Sequence, residues 1–168
     1  RRNLIERNIS MDRPSLRMHR ALRLALVMKM DTNLDKRQNT FEKALRLTRD
    51  AFPRRDMTSR MPRNEHAWKM AMPQVLALQS AFERSDPPIS GSMKFASLLG
   101  DAGSILWEQQ LSRVALPALL LGERIALRFV EKDEPDSVLA NLENCISMLV
   151  VDENPESRQA NITRMKRV

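Results

Sequence analysis

Arg13, Arg17 and Arg20 recur at intervals of four and three, with Arg23 at the margin of the same row. On a helix turning 100° per residue they would cover an arc of about 120°. Lys43, Arg46 and Arg49 repeat the pattern, and Arg54, Arg55, Arg60 and Arg63 follow. Guanidinium groups grip phosphate through a planar fork, so the chemistry this spacing serves is the binding of a polyanion, either a nucleic-acid backbone or an anionic lipid surface. If the two rows lie on an antiparallel helical hairpin they merge into one face of about nine cations, the four Arg of the first with Lys43, Arg46, Arg49, Arg54 and Arg55. Each row taken singly is also what a solvated helix face looks like. Asp12, Asp50 and Asp56 are the acids placed to neutralise parts of it.

Little else in the chain supports reaction chemistry. His19, His66 and Cys145 are the whole set of His and Cys, and none stands at metal-ligand spacing, so neither a metal nor a cofactor is expected. Cys145 follows Leu142 by three residues on an apolar stripe, which predicts a buried thiol and not a nucleophile. Gly100-Asp101-Ala102-Gly103-Ser104 has no following Lys and no preceding strand, so it is read as a helix junction and not a phosphate loop. An enzyme is not expected, because too few groups converge. Base-specific reading is not expected either: no zinc-finger spacing, helix-turn-helix signature or RNP-type aromatic motif is present. Phe41, Phe52, Trp68 and Phe82 are the aromatics of the basic half, and Phe41 and Phe52 fall on an apolar face.

The elements that must carry these residues read as helices throughout. Prolines follow polar or acidic caps, where a missing N–H is harmless. A first helix is expected from Ser10–Pro14 to about Met30, with Met18, Leu22, Ala25 and Leu26 facing the core. A second is expected from Asn39 or Thr40 to Phe52, and a third from Asn64, kinked or restarted at Pro73, to about Arg84. Beyond Ser90-Gly91-Ser92 come a short helix near Met93–Leu99, another from about Ser104 to Ala115, and a restart at Pro117 running to about Val130. Glu134-Pro135 and Asn154-Pro155 open the last two. Phe41, Ala44, Leu45, Thr48 and Phe52, and again Leu139, Leu142, Ile146 and Leu149, recur at mostly helical intervals, while no run alternates as a strand should. The expected fold class is all-α, about eight helices in two small bundles: a basic subdomain at 1–84, a linker at 85–92 and an apolar, acidic subdomain at 93–168.

Composition bounds the rest. The 168 residues include 11 Met, 9 Pro, 4 Gly, 1 Cys and no Tyr. A lone Cys excludes an intrachain disulfide framework and points to a reducing compartment. The longest apolar run, about eight residues around Val114–Leu121, is far short of the roughly 20 that span a bilayer. Residues 1–84 carry 19 Lys plus Arg against 9 Asp plus Glu, and residues 85–168 carry 9 against 12. This asymmetry predicts a polyanion partner for the first part and permits head-to-tail self-association. The Met side chains serve either core filling, the commoner use, or an adaptable interface. An exposed patch on the apolar stretch 111–127 would predict oligomerisation.

With its Arg rows at 13–23 and 43–55, its break at Pro87-Pro88 and its Met-rich helical makeup, the chain resembles an orthomyxovirus-type matrix protein, and a divergent, fish-orthomyxovirus-like member more than influenza. Arg46-Leu47-Thr48-Arg49 with Arg54-Arg55 is the nearest stretch to the compact Arg-Lys-Leu-Lys-Arg motif of the influenza protein, and it departs from that motif. The resemblance implies a structural protein of the virion that polymerises beneath the envelope. Its partners would be further copies of itself, the anionic phospholipid surface and RNA or ribonucleoprotein, at the inner face of the plasma membrane and in the host cytoplasm or nucleus. Two other classes fit the residues: a helical nucleic-acid-binding small subunit of an RNA-guided complex, and a secretion-system adaptor or chaperone working through Met and Leu surfaces.

Overall fold

The computed structural model describes residues 5–8, 15–53, 65–129 and 137–153. Among these the chain is helical apart from one short β-hairpin, and the helices number six where about eight were expected. The chain divides into two compact units, Arg1–Phe41 and Glu42–Val168.

In the smaller unit, strand β1 (Ile5–Asn8) pairs antiparallel with β2 (Ser15–Met18), Glu6 opposite Arg17 and Ile5 opposite Met18. This corrects the helix expected from Pro14: helix α1 spans Arg20–Asp31. Ser15-Leu16-Arg17-Met18 does alternate polar and apolar residues, but four residues are too few to separate a period of 2 from one of 3.6. His19 closes the N-terminus of α1, its Nδ1 accepting from the Ala21 N–H at 3.3 Å. The core face expected on this helix is not there: Met18, Ala25 and Leu26 are exposed, as are Leu24, Val27 and Met28, and Leu22 is half-buried. Apolar residues run almost without interruption from Ala21 to Met28, so they circle the helix and define no single stripe.

Helix α2 (Leu34–Ala51) begins earlier than Asn39 or Thr40. Asn33 is its cap, Oδ1 accepting from the Lys36 N–H at 2.9 Å, which satisfies a donor that the helix itself cannot. Thr40, a cap-type residue in mid-helix, donates its hydroxyl back to the Lys36 carbonyl at 2.7 Å instead. Phe41, Leu45, Thr48 and Phe52 are buried at helical intervals, as their spacing predicts.

The larger unit continues with α3 (Glu65–Glu83), α4 (Met93–Glu108), α5 (Ser112–Ala126) and α6 (Ser137–Glu153). Helix α3 runs unbroken through Pro73, which is exposed. Helix α4 lies at the centre, in contact with α3, α5 and α6. Its Phe95, Leu98, Leu99 and Ile105 meet no solvent or almost none, and Leu119, Ile125, Leu142, Ile146 and Leu149 close around them. Ser92 starts α4 by accepting the Phe95 N–H at 3.4 Å.

Two expected helices, near 93–99 and 104–115, are replaced by the single helix α4, and Gly100–Ser104 lies in its middle and is no junction. The glycines there admit neighbours. A Cβ on Gly103 would stand 2.5 Å from Leu119 Cγ, and one on Gly122 of α5 would stand 2.9 Å from Leu142 Cδ2. The actual turn is at Gln110, with φ 59°. The Gln110 N–H reaches the Trp107 carbonyl at 2.8 Å and the Leu111 N–H reaches the Leu106 carbonyl at 2.9 Å, the paired bonds of a left-handed helix stop that usually recruits Gly.

The two-bundle division at 85–92 is also corrected. That segment lies within the larger unit, and the elements on its two sides touch: the rings of Phe82 and Phe95 sit 5.3 Å apart, tilted by 53°. The helix expected from Asn154-Pro155 and the opening at Glu134-Pro135 fall outside the described residues.

Candidate polyanion-binding surface

Helix α2 turns its buried stripe inward and leaves Lys36, Lys43 and Arg46 exposed on the opposite side, within an arc of about 80°. Asn39 lies on the same arc and is exposed. Lys43 and Arg46 make no ion pair among the described residues. Asp50 is exposed on this arc too, four residues after Arg46, and trims the positive field at its C-terminal end.

Arg49 does not belong to this face. Its Nη1 donates to Asp101 Oδ2 at 2.6 Å, and the two side chains are only 12% and 13% exposed. The pair ties α2 to α4 inside the larger unit, so Arg49 is structural, a correction to its place in the cationic row. A partly buried charge-assisted bond is stronger than a surface pair, and removing one member strands the other. Arg49→Ala is expected to cost about 2 kcal/mol, read as a fall of roughly 5 °C in a thermal melt. Lys43→Ala, on an exposed site, is expected to leave the melt within about 0.5 kcal/mol of the parent.

The first Arg row is not a helical stripe. Arg17 falls in β2, Arg20 is the first residue of α1 and is exposed, and Arg23 follows within α1. A strand residue and helix residues do not share the 100° progression that would align them. With Arg17 in a strand and Arg49 paired to Asp101, the nine cations do not form the two helical rows that were to merge. Arg13, Arg54 and Arg55, like Asp12 and Asp56, lie outside the described residues.

Within residues 93–129 the two signs of charge are placed differently. From Met93 to Phe129 every exposed charged residue is a cation: Lys94, Arg113, Arg124 and Arg128. The carboxylates of the same stretch, Asp101, Glu108 and Glu123, are half-buried, and Glu143 of α6 is buried. These cations were not singled out in the sequence, because a net of more acids than bases over residues 85–168 conceals which sign faces water.

A shallow groove of about 520 Å³ between α4 and α6 is lined by Ser97, Asp101, Ser137, Asn141 and Asn144. It holds one carboxylate, already engaged by Arg49, and no His or Cys. Among the described residues no cluster of three or more His, Cys, Asp or Glu is placed to hold a metal ion, and no helix is long and apolar enough to cross a membrane. Cys145 is buried, its Sγ 3.1 Å from Ser104 Oγ, which in turn donates to the Gly100 carbonyl at 2.9 Å.

No family model, curated protein or solved structure matches this chain. The functional reading therefore stands on its own surface.

Proposed function

We propose that this chain is a matrix-type structural protein, not an enzyme, that assembles with copies of itself into a layer beneath a viral envelope and holds anionic membrane and ribonucleoprotein. The observation that carries the reading is the exposed cationic face of α2, Lys36, Lys43 and Arg46, set opposite a buried stripe that fixes its direction. A rigid helix presenting cations about two turns and then one turn apart meets phosphates without reading bases, and many weak contacts across an array sum to firm attachment.

The test is a single-stranded RNA gel shift on the full chain and on the triple variant Lys36→Glu, Lys43→Glu, Arg46→Glu. Three lost phosphate contacts and three added repulsions are expected to weaken RNA binding more than about tenfold near 100 mM salt and to flatten its salt dependence by roughly two units of log–log slope. Helix content stays at the parent level. Asp50→Asn moves binding the other way, about twofold tighter, by relieving the acid on the same arc. Unchanged RNA binding in the triple variant overturns the reading. RNA binding with no affinity for lipid vesicles favours the small subunit of an RNA-guided complex instead.

A further inference from the structure

The outward face of α5 combines apolar and cationic residues in a way the α2 face does not. Its inner side is fixed by Ala115, Ala118, Leu119, Leu121, Gly122, Ile125 and Ala126, all buried. On the opposite side Arg113, Leu120, Arg124 and Leu127 share an arc of about 60°. Leu111 and Val114 lie exposed at one end of the helix, and Arg128 and Phe129 at the other. Leu127 and Phe129 are 51% and 52% exposed. From Met93 to Phe129 the carboxylates are half-buried while these Arg are exposed, and Glu123, about 40° beyond Leu127 around the helix, is the acid of α5 nearest this face.

We propose that the α5 face, centred on Leu120, Leu127 and Phe129 and flanked by Arg113, Arg124 and Arg128, is the surface that docks on an anionic phospholipid bilayer. The inference rests on the matrix-type reading for its setting and assigns the lipid contact to α5, leaving α2 for ribonucleoprotein. Charge and shape choose the occupant. A bilayer with acidic headgroups offers both things this face lacks, negative charge at the level of the guanidinium groups and apolar volume beneath it. Lying in the interface plane, the helix would seat Leu120, Leu127 and Phe129 at the acyl boundary while the Arg side chains extend back to the phosphates. Nucleic acid would leave those leucines against phosphate, with no apolar volume to receive them. A second copy meeting this face about a two-fold axis would set three Arg against three Arg, which repel.

The experiment is co-flotation of the full chain with phosphatidylcholine vesicles, with and without phosphatidylserine, alongside the RNA gel shift. The parent is expected to float only when phosphatidylserine is present, and to keep part of its binding near 300 mM salt because apolar insertion is not screened. Leu120→Glu with Leu127→Glu is expected to reduce flotation more than about tenfold and to leave RNA binding unchanged. Arg113→Gln, Arg124→Gln and Arg128→Gln, which alters no apolar contact, is expected to reduce it as well, with a parent-like melt. Lys43→Glu with Arg46→Glu is expected to lose RNA and still float. Parent-level flotation of the Leu variant, or equal flotation on vesicles lacking phosphatidylserine, overturns the proposal. So does sedimentation showing that the Leu variant dissolves a self-association of a parent that does not float. If RNA binding is absent while flotation depends on Leu120 and Leu127, the ribonucleoprotein part of the reading fails and the α5 assignment stands.

Discussion

Phe95→Ala is expected to lower stability by about 3–5 kcal/mol, or roughly 10 °C in a thermal melt, the largest single effect foreseen for this chain. Phe95 is fully buried on the central helix and its ring lies against Phe82 across the 85–92 segment. Truncation removes the transfer free energy of an aromatic ring, empties a cavity between α3 and α4, and abolishes the ring contact. The loss should reach α3, since α3 has few other ties to α4 through which the cavity could be closed. Near-ultraviolet and far-ultraviolet melts followed together check this. Loss of the aromatic signal with the helices of α3 retained at the parent temperature would show that the two helices are held by something other than this contact.

The second large effect concerns the crossing of α5 and α6. Leu142 is fully buried, and a Cβ placed on Gly122 would stand 2.9 Å from its Cδ2 and 3.3 Å from the Ala96 carbonyl oxygen. Leu142→Ala is expected to cost about 2–5 kcal/mol through the cavity it leaves. Gly122→Ala gains about 1 kcal/mol of helix propensity but is opposed by overpacking of about 1–3 kcal/mol, so it is expected to be mildly destabilising. Combined, the two should cost less than their sum by about 1 kcal/mol or more, because the new methyl group enters the space that Leu142 vacates. Denaturant titrations of the four species measure the coupling, and strict additivity would mean that the Ala96 carbonyl and not Leu142 sets the fit at Gly122.

Both predictions depend on contacts that the order of residues does not display, and the same holds for much of the surface. Arg49 reads as one more cation in a row until Asp101, 52 positions away, takes it. Asp101 itself sits in a stretch that reads as a glycine-marked junction, and the glycines prove to be places where neighbouring helices come close. The true break, at Gln110, carries no glycine because the chain tolerates a left-handed residue there and satisfies the N–H of Gln110 and that of Leu111 with helix carbonyls.

The amino-acid sequence by itself determined the helical class, the buried stripe of Phe41, Leu45, Thr48 and Phe52, the burial of Leu142, Ile146 and Leu149, and the burial of Cys145, since a period of 3.6 in apolar residues has one cheap solution in water. It also placed Lys43 and Arg46 outside, because they stand opposite that stripe. Tertiary structure alone decided where periodicity is silent or shared. Ser15–Met18 became a strand because it found a partner in Ile5–Asn8. The apolar residues of α1 stayed exposed because they circle the helix. On α5, where Leu, Ala and Arg alternate too closely for a stripe to be read, the approach of α4 and α6 to the small residues Ala115, Ala118 and Gly122 turned that side inward and set Leu120, Leu127 and the three Arg to face outward.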